Sequence, residues 1–366
     1  MPTKQTIGLA LALIAIIASI MYLEREMPMR PSTAVSQKIA VESNTEKRLR
    51  YPEARELAGI SGYFNTAGEE IKIADLVGTK VILLDIWTYS CINCQRTLPY
   101  ITAWHEKYRD QGLEIIGVHT PEFDFEKKPE NVQAAIDKWG IEYPVVQDNE
   151  YATWTAYGNR YWPRKYLIDI DGYIVYDHIG EGGYEETEKK IQELLSERMA
   201  KLGEGTELSR DTVRPDTLES GGQVNSPEIY FGAWRNELFA NGEPGVEGVQ
   251  NLEAPDEVGL NELYLVGEWN ITREYAEAVS DNAKIIFRYA ARDVYAVASA
   301  SEDVVVDVTR DGLDIGREGG GDFGVGGLHL KTDERLYRII EDTESGEHLL
   351  EIILPQGVRF YAFTFG

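Results

Sequence analysis

The feature that most constrains this chain is one Cys-x-x-Cys pair, Cys91 and Cys94, which are its only cysteines. An apolar run at residues 81–86 precedes the pair and suits a buried strand, and the pattern after it predicts a helix over residues 91–112. Such a pair can be half of a zinc site, a structural disulfide or a redox dithiol. Structural zinc takes four protein ligands, and no second cysteine pair exists. Since a disulfide across two residues restrains little, redox chemistry is the prediction.

The position of the pair gives its two thiols different roles. Cys91 begins the predicted helix, where unpaired backbone N–H groups and the positive end of the helix dipole favour a thiolate. Cys94 lies one turn inside the helix and is expected to be more buried. We therefore expect Cys91 to attack a disulfide and Cys94 to resolve the mixed disulfide. Ile92 and Asn93 carry no cation that would stabilise the thiolate further, which favours a reductant over a strong oxidant.

The pattern around the pair predicts an α/β domain over residues 51–200. A second buried strand covers residues 113–118 and a second helix covers residues 131–140. Residues 166–176 contain two apolar runs around an Asp-Gly turn and predict a β-hairpin. A last helix covers residues 184–199. Strand–helix alternation that ends in a hairpin predicts a central sheet of mixed direction flanked by helices.

Further residues give this region a resemblance to the thioredoxin superfamily. Asp85 lies six positions before Cys91, where thioredoxins keep a buried carboxylate that serves proton transfer to the inner cysteine. Pro99 lies eight positions after Cys91 and matches the proline that kinks the active-site helix. Trp162-Pro163 matches the cis-proline segment that faces the disulfide and presents its backbone to substrate. The resemblance implies a thioredoxin-like fold, a catalytic role for Asp85 and a cis bond before Pro163.

Longer segments are similar to the DipZ-type relatives of the TlpA-like thiol-disulfide oxidoreductases. They lie at residues 84–100, 117–123, 159–163, 178–182, 227–232 and 361–366. The family implies protein disulfide or dithiol substrates, with cytochrome c apoprotein as one candidate, and a last domain that resembles a carbohydrate-binding module. DipZ-type proteins also carry a multi-helix, electron-transporting membrane domain of the CcdA type. This chain has one apolar segment instead, so the resemblance implies a separate CcdA-type membrane electron donor.

After a second linker, residues 201–224, apolar runs of period two predict an all-β domain over residues 225–366. Asp311-Gly312 and Ser345-Gly346 predict turns between its strands. The runs and turns favour a sandwich of jelly-roll type. Four aromatic residues are candidates for a sugar-stacking platform, although aromatic residues at strand spacing more often fill a sandwich core; they are Tyr230, Trp234, Tyr264 and Trp269.

Residues 1–23 predict a membrane anchor. Residues 7–23 carry no charge and follow Lys4, and their length lies at the short end of what spans a bilayer core. The run lacks the small-x-small ending of a cleaved signal peptide, which favours an uncleaved single-pass anchor. The positive-inside tendency then puts the catalytic and β domains on the extracytoplasmic, periplasmic side of the cell membrane. Residues 24–50 are polar and predict a linker.

Further residues are candidates for the substrate groove or for tuning the thiols. Glu122 follows the second buried strand and is expected at the same sheet edge as the cysteines, where it either raises a nearby thiol pKa or is a solvated loop residue. Trp87 and Tyr89 flank the cysteines, although Trp87 alternatively packs in the core. Trp162 either shapes the groove or shields the disulfide. For His119, a hydrogen-bonded structural role is favoured over a catalytic one.

Composition and motifs narrow the remaining alternatives. The formal net charge of −26 argues against nucleic-acid binding, and no cofactor or metal site is predicted. Thr88-x-x-Cys91 echoes the peroxidatic motif of peroxiredoxins, but Leu84 occupies the place of the proline which that motif requires. The rival class is a binding protein whose β domain holds a glycan or partner protein and whose thioredoxin-like module is structural.

Overall fold

The computed structural model describes residues 44–205, 208–215, 224–316 and 318–366. The predicted anchor, residues 1–23, lies outside these ranges, as does most of the predicted linker that follows it. Among the described residues, no helix is long and apolar enough to cross a membrane.

The first described region contains a six-stranded sheet. Its strands are β1 (Gly62–Phe64), β2 (Val81–Trp87), β3 (Leu113–His119), β4 (Val145–Gln147), β5 (Arg164–Ile168) and β6 (Ile174–Ile179). They lie in the order β1-β4-β3-β2-β5-β6. Strands β2, β3 and β4 are parallel, whereas the pairs β1–β4, β2–β5 and β5–β6 are antiparallel. This is the mixed α/β sheet that the sequence predicts.

Helices cover both faces of the sheet. They are α1 (Asn44–Arg50), α2 (Ile73–Leu76), α3 (Ile92–Tyr108), α4 (Pro129–Trp139), α5 (Ala152–Ala156) and α6 (Tyr184–Leu202). All seven residues of β2 are buried, as expected of a central strand. Leu83 packs in the layer that contains α3 and α6, and Leu84 packs in the layer on the opposite face. The final turn after α3 closes at Gly112, whose φ of 101° is left-handed.

Residues 44–50 belong to the predicted linker, but they form helix α1, docked on the α/β region. Lys47 is buried, and its Nζ donates to Asp169 at 2.5 Å, to Glu197 at 2.5 Å and to Asp171 at 2.8 Å. Burial lowers the pKa of Lys47, but the three carboxylates together raise it by more, so the pKa lies above its ordinary value. The polar sequence has no apolar period and therefore predicts a linker. Such a pattern gives no sign of a helix that is held in place by a buried ion network.

The second predicted linker is also partly ordered against the α/β region. Helix α6 continues to Leu202. Leu208 and Val213 then pack against the apolar layer that contains α3, and the Val213 N–H donates to Glu188 at 2.7 Å. The described part of this segment therefore lies along the first region rather than acting as a free spacer.

The second region is rich in β-strands. They are β7 (Ile229–Tyr230), β8 (Gly248–Leu252), β9 (Leu263–Ile271), β10 (Ala276–Ala278), β11 (Ala283–Ala300), β12 (Val304–Arg310), β13 (Leu313–Asp314), β14 (Phe323–Gly324), β15 (Gly327–Leu330), β16 (Arg335–Leu354) and β17 (Val358–Phe365). The predicted turn at Asp311-Gly312 is present, with positive φ at both residues. The predicted turn at Ser345-Gly346 is wrong, because Gly346 pairs with Ala291 inside the long β11–β16 ladder. Bulges, rather than turns, interrupt the apolar runs there.

Four strands of this region form a closed circuit of pairings. Strand β11 pairs with β9 near its start and with β17 near its end, and β10 joins β9 to β17. All four strands contribute residues to the larger of the apolar cores in the described part of the chain, which includes Trp269, Phe287 and Phe363. The β-rich character is confirmed, while the jelly-roll assignment stays a prediction.

The two regions contact each other through the loop after β3. Phe123 and Phe125 are buried, and each packs edge-on against Tyr361 of β17, with ring centroids 5.3 Å and 5.1 Å apart. Val297 and Ala362 complete this small apolar cluster. The loop that the sequence places beside the cysteines is therefore also the docking surface of the β-rich region.

Candidate active site

Cys91 lies at the start of α3 and opens onto a cleft. It is the N-cap residue of the helix, with extended backbone at φ −79° and ψ 120°. The thiols of Cys91 and Cys94 are both free. Cys91 is 9% exposed and lines a cleft of about 570 Å³, whereas Cys94 is 1% exposed and does not line it. Of the two thiols, Cys91 is the one that a substrate can reach.

The inner thiol is held in its protonated form. Burial raises the pKa of Cys94 well above its ordinary value, and a hydrogen bond with Cys91 raises it further. The negative charge of Asp85 acts in the same direction, while a backbone hydrogen bond at Thr88 opposes it. Because only a thiolate attacks a disulfide, Cys94 needs a base that removes its proton.

Asp85 supplies a carboxylate that is buried like Cys94 and close enough for its charge to act on that thiol. It pairs directly with Lys165 in the antiparallel register of β2 and β5, and both residues are buried. Burial raises the pKa of Asp85 to about 6, although Lys165 lowers it. Burial lowers the pKa of Lys165 to about 8, although Asp85 and Cys94 raise it. At neutral pH Asp85 is therefore an ionised carboxylate beside a protonated lysine, and it is able to accept a proton.

Lys165 is absent from the sequence-based candidates, although a signal for it exists. Arg164 and Lys165 are adjacent cations at the start of β5, so their side chains point to opposite faces of the sheet. Leu167 is buried in the layer that contains α3, and the period of two puts Lys165 on that same face. Arg164 instead pairs with Asp177 at 2.6 Å. Side chains alternate between the two faces of β5, so the burial of Leu167 beneath α3 indicates that Lys165 also points to that face.

The predicted cis-proline segment borders the same cleft. The Trp162–Pro163 bond is cis, as the resemblance implies, and Pro163 is buried. Trp162 lines the cleft together with Cys91. Its Nε1 donates to the Thr120 carbonyl at 3.0 Å, and its ring packs on Trp154 with centroids 4.2 Å apart. The indole is thus fixed as a wall of the cleft.

Glu122 also lines this cleft, but it is not a solvated loop residue. Its Oε1 accepts a hydrogen bond from the Tyr230 hydroxyl at 2.8 Å and one from Arg235 Nη1 at 2.8 Å. Both donors belong to the β-rich region, more than 100 residues along the chain. The cleft therefore has one wall from each region, which sequence patterns within either region do not predict.

Glu126 is a second residue that sequence reasoning misses. It is fully buried, and burial raises its pKa to about 7, with Glu122 adding to the rise. Its Oε1 accepts hydrogen bonds from the N–H and hydroxyl of Ser90, and its Oε2 accepts from the N–H groups of Glu122 and Phe123. The carboxylate thus ties the turn before Cys91 to the loop that docks the β-rich region. The motif Phe-Asp-Phe-Glu gives no sequence signal for this role.

Trp87 and Tyr89 do not line the cleft of Cys91, although both pack in the apolar layer that contains the two cysteines. Trp87 is completely buried beneath the sheet edge, with its ring edge-on to His119 at 5.2 Å, so the core alternative describes its position. Tyr89 stacks on His119 at 5.6 Å and packs near Phe125. His119 itself is buried, lies 3.4 Å from the Thr88 hydroxyl, and has its pKa lowered to about 3 by burial. A structural role, as favoured above, fits that environment.

Pro99 lies inside α3 and lines a different groove, between α3 and the β-rich region. Arg96 borders the same groove, where it pairs with Glu181 at 3.2 Å and donates to the Tyr295 hydroxyl at 3.3 Å. These contacts hold α3 to its neighbours. Pro99 is therefore placed to shape the helix rather than to touch a substrate at Cys91.

The four aromatic candidates of the β-rich region do not form one platform. Trp269 and Tyr264 are buried. Tyr230 lies at Glu122, with the Arg235 guanidinium 3.8 Å from its ring centroid. Trp234 is 51% exposed and borders Arg235 and Arg273. Core packing thus accounts for two of the four residues, and the contact between the regions accounts for Tyr230.

One group of acidic side chains in the described ranges has the spacing to hold a metal ion. It consists of Asp169, Asp171 and Glu197. Lys47 Nζ lies among these carboxylates within 2.8 Å of each. The ammonium group therefore takes the position that a cation would need, and the cluster acts as a structural ion network.

Comparison with known proteins gives two family matches. Residues 54–177 match the AhpC/TSA family, and residues 226–366 match the family described as the thioredoxin-like C-terminal domain. Protein DipZ of Mycobacterium tuberculosis is 36% identical over 314 residues, which cover 86% of this chain and 43% of DipZ. The chain thus spans less than half the length of that relative.

Two shorter relatives align with the first region. The thiol-disulfide oxidoreductase ResA of Halalkalibacterium halodurans is 35% identical over 128 residues, which cover 35% of this chain and 69% of ResA. The thiol-disulfide oxidoreductase YkuV of Bacillus subtilis is 29% identical over 150 residues, which cover 41% of this chain and 98% of YkuV. Together with the Cys-x-x-Cys pair at the start of α3, these matches identify the chain as a member of the thioredoxin-like thiol-disulfide oxidoreductases.

Proposed function

We propose that this chain reduces disulfide bonds in protein substrates by thiol–disulfide exchange. One arrangement carries the proposal: Cys91 opens onto the cleft, Cys94 is buried behind it, and the Asp85 carboxylate is buried near Cys94. A structural thioredoxin-like module would need neither an accessible thiol nor a base beside the inner one.

The reaction has two exchanges. The Cys91 thiolate attacks one sulfur of the substrate disulfide, the substrate S–S bond breaks, and the first substrate thiolate leaves. Asp85 then takes the proton of Cys94, and the Cys94 thiolate attacks Cys91 Sγ. A Cys91–Cys94 disulfide forms and the second substrate thiolate leaves. The substrate gains two electrons, and an external dithiol must reduce the pair again.

The proposed reducing direction rests on the surroundings of Cys91. Strong oxidants need a very stable thiolate, which cationic neighbours supply. Ile92 and Asn93 carry no charge, and the nearest cation within α3, Arg96, is already paired with Glu181. The helix N-terminus therefore acts alone within α3, which favours donation of electrons.

The walls of the cleft favour a polypeptide substrate. Tyr161, Ile179 and Val224 line the cleft and remain 51%, 50% and 43% exposed. Exposed apolar side chains around a reactive group are typical of interaction sites. An extended segment with apolar residues beside its cystine would cover them while its disulfide meets Cys91.

The proposal extends to location and electron supply. Residues 7–23 tether the chain to the membrane as a single-pass anchor, the two regions lie on the extracytoplasmic, periplasmic side, and a separate CcdA-type membrane protein delivers electrons. The uncharged run after Lys4 supports the anchor, and the DipZ-type resemblance of the segments named above implies the CcdA-type donor. Cytochrome c apoprotein is one candidate substrate. Recovery of the intact chain in the soluble fraction of lysed cells would contradict the anchor.

For the β-rich region we propose a jelly-roll sandwich that forms the second wall of the cleft. Tyr230, Arg235, Thr364 and Phe365 of this region line the cleft, which supports this role. Tyr230, Trp234, Tyr264 and Trp269 do not lie together on one exposed surface, so they do not support glycan binding by stacking.

Insulin reduction tests the proposed function. With dithiothreitol as electron donor, the protein is expected to accelerate insulin precipitation, and Cys91→Ser is expected to abolish the acceleration. In a separate incubation without dithiothreitol, the pre-reduced Cys94→Ala protein is expected to hold insulin covalently at Cys91, because the mixed disulfide is not resolved. Ser196→Ala, which changes a hydroxyl on α6 that donates to the Gln192 carbonyl, serves as the matched control. No acceleration by the fully reduced protein would overturn the proposal.

A further inference from the structure

The cleft brings a charge of the β-rich region close to the active site. Arg235 Nη1 donates to Glu122 Oε1 at 2.8 Å, and the two side chains are 25% and 11% exposed. The Arg235 guanidinium also packs over the Tyr230 ring at 3.8 Å. Arg235, Glu122 and Cys91 line the same cleft. The ion pair is therefore partly buried, held on two sides and part of the surface that surrounds the nucleophile.

Of the groups that contact the Glu122 carboxylate, Arg235 carries the positive charge. The Tyr230 hydroxyl lies 2.8 Å from Glu122 and 2.9 Å from Glu228, so it stands between two carboxylates. Glu126, in the same loop, adds a third carboxylate. The titratable or charged groups that face the pair from each packed element are Glu126, Tyr151, Glu228, Tyr230 and Glu274.

Among the described residues, no other cation near Cys91 contacts the Glu122 carboxylate. Cys94 is its neighbour in α3, with Asp85 and Lys165 buried behind. Arg160 and Glu181 stand at the edge of the cleft, and Glu181 is paired with Arg96. Loss of Arg235 would thus leave Glu122 as a partly buried, uncompensated negative charge in the cleft, where it opposes formation of the Cys91 thiolate.

We propose that Arg235 is a positioning residue of the active site, through which the β-rich region neutralises and fixes Glu122 and so keeps Cys91 reactive. The inference rests on the proposed function only in taking Cys91 as the attacking thiol. It assigns to the β-rich region a direct part in the chemistry of the other region.

The test measures the pH dependence of Cys91 alkylation by iodoacetamide, followed by mass spectrometry in a Cys94→Ala background. Arg235→Gln is expected to move the midpoint to higher pH and to slow alkylation at pH 7 roughly 3- to 10-fold, because an unpaired charge in the same cleft shifts a thiol pKa by about half a unit to one unit. Glu122→Gln and the double variant Glu122→Gln/Arg235→Gln should show no upward shift. Insulin is absent from this assay, so failure of the proposed function would leave its outcome unaffected.

Arg273→Gln is the matched control. Arg273 packs on Trp234 at 4.7 Å, as Arg235 does at 5.1 Å, but it makes no contact with Glu122, so its variant should keep the original midpoint. Two results would overturn the inference. The first is an unchanged midpoint in a folded Arg235→Gln protein. The second is an upward shift that persists in the double variant, since the arginine would then act by a route other than the Glu122 charge.

Discussion

Asp85 and Lys165 occupy paired positions in neighbouring strands, yet no hydrogen bond joins their side chains. Both carboxylate oxygens of Asp85 are buried without a partner, while Lys165 Nζ donates to the Gly180 carbonyl at 3.1 Å. Each group feels the charge of the other without being neutralised by contact. The Asp85 oxygens are therefore free to accept a proton. Cys94 must give up its proton before it can attack the mixed disulfide at Cys91.

Replacement of Asp85 should separate the two exchanges. Asp85→Asn is expected to leave alkylation of Cys91 nearly unchanged but to slow resolution of a mixed disulfide on the order of 10²-fold, because a general base is lost. Burial is the largest cause of the raised Cys94 pKa, so removal of the Asp85 charge does not free that thiol. Stopped-flow release of a chromogenic thiol from Cys91 measures the step, and Asp75→Asn, which changes an exposed residue of α2, is the control. Equal resolution rates in both variants would exclude Asp85 as the base.

Lys165 should set the pH at which that base works. Because Lys165 lowers the pKa of Asp85, Lys165→Met is expected to raise it above about 6 and to shift the midpoint of the resolution rate by roughly one unit to higher pH. Arg164→Met removes the adjacent cation, which faces Asp177 instead, and should leave the midpoint in place. If both variants keep the original profile, Lys165 does not act on Asp85.

The raised pKa of Asp85 also has a consequence for stability. Its folded-state pKa, about 6, lies above the ordinary value of 3.8, so its contribution to stability is fully present below pH 4 and is lost as pH rises through 6. Lys165 stays protonated across that window. The free energy of unfolding of Asp85→Asn, relative to the unsubstituted protein, should therefore rise by on the order of 3 kcal/mol between pH 4 and pH 7. Urea unfolding at a series of pH values checks this, and a pH-independent difference would contradict it.

Glu126 should stabilise the turn before Cys91. Glu126→Gln replaces one accepting oxygen by a donor, so two of the four N–H and O–H groups that now bind the carboxylate lose their acceptor. Buried donors without partners cost about 1–3 kcal/mol each, so the loss of two acceptors should lower the free energy of unfolding by roughly 2–6 kcal/mol. Glu130→Gln, at the exposed start of α4, is the control. A loss no greater than that of the control would show that the loop does not depend on Glu126.

Local patterns were sufficient to predict the parts of the site that lie close together in the chain. Cys91 and Cys94 share one helical turn, and strands β2 and β3 are short apolar runs whose burial follows from their composition. Long-range geometry explains the omissions. Lys165 acquires its role only through the register between β5 and β2, and Arg235 reaches Glu122 across 113 positions. The length of the β11–β16 ladder was not predicted for another reason. Its bulges interrupt the apolar pattern, and Ser345-Gly346 has the composition of a turn although Gly346 pairs within the ladder.

The loop of residues 121–127 connects two processes. On one side Glu126 holds Ser90, next to the nucleophile, and on the other Phe123 and Phe125 pack against Tyr361. Thermodynamic linkage makes such a connection reciprocal. If a molecule that binds at Tyr361 changes the balance between dithiol and disulfide, oxidation of the pair must change the affinity for that molecule by the same factor.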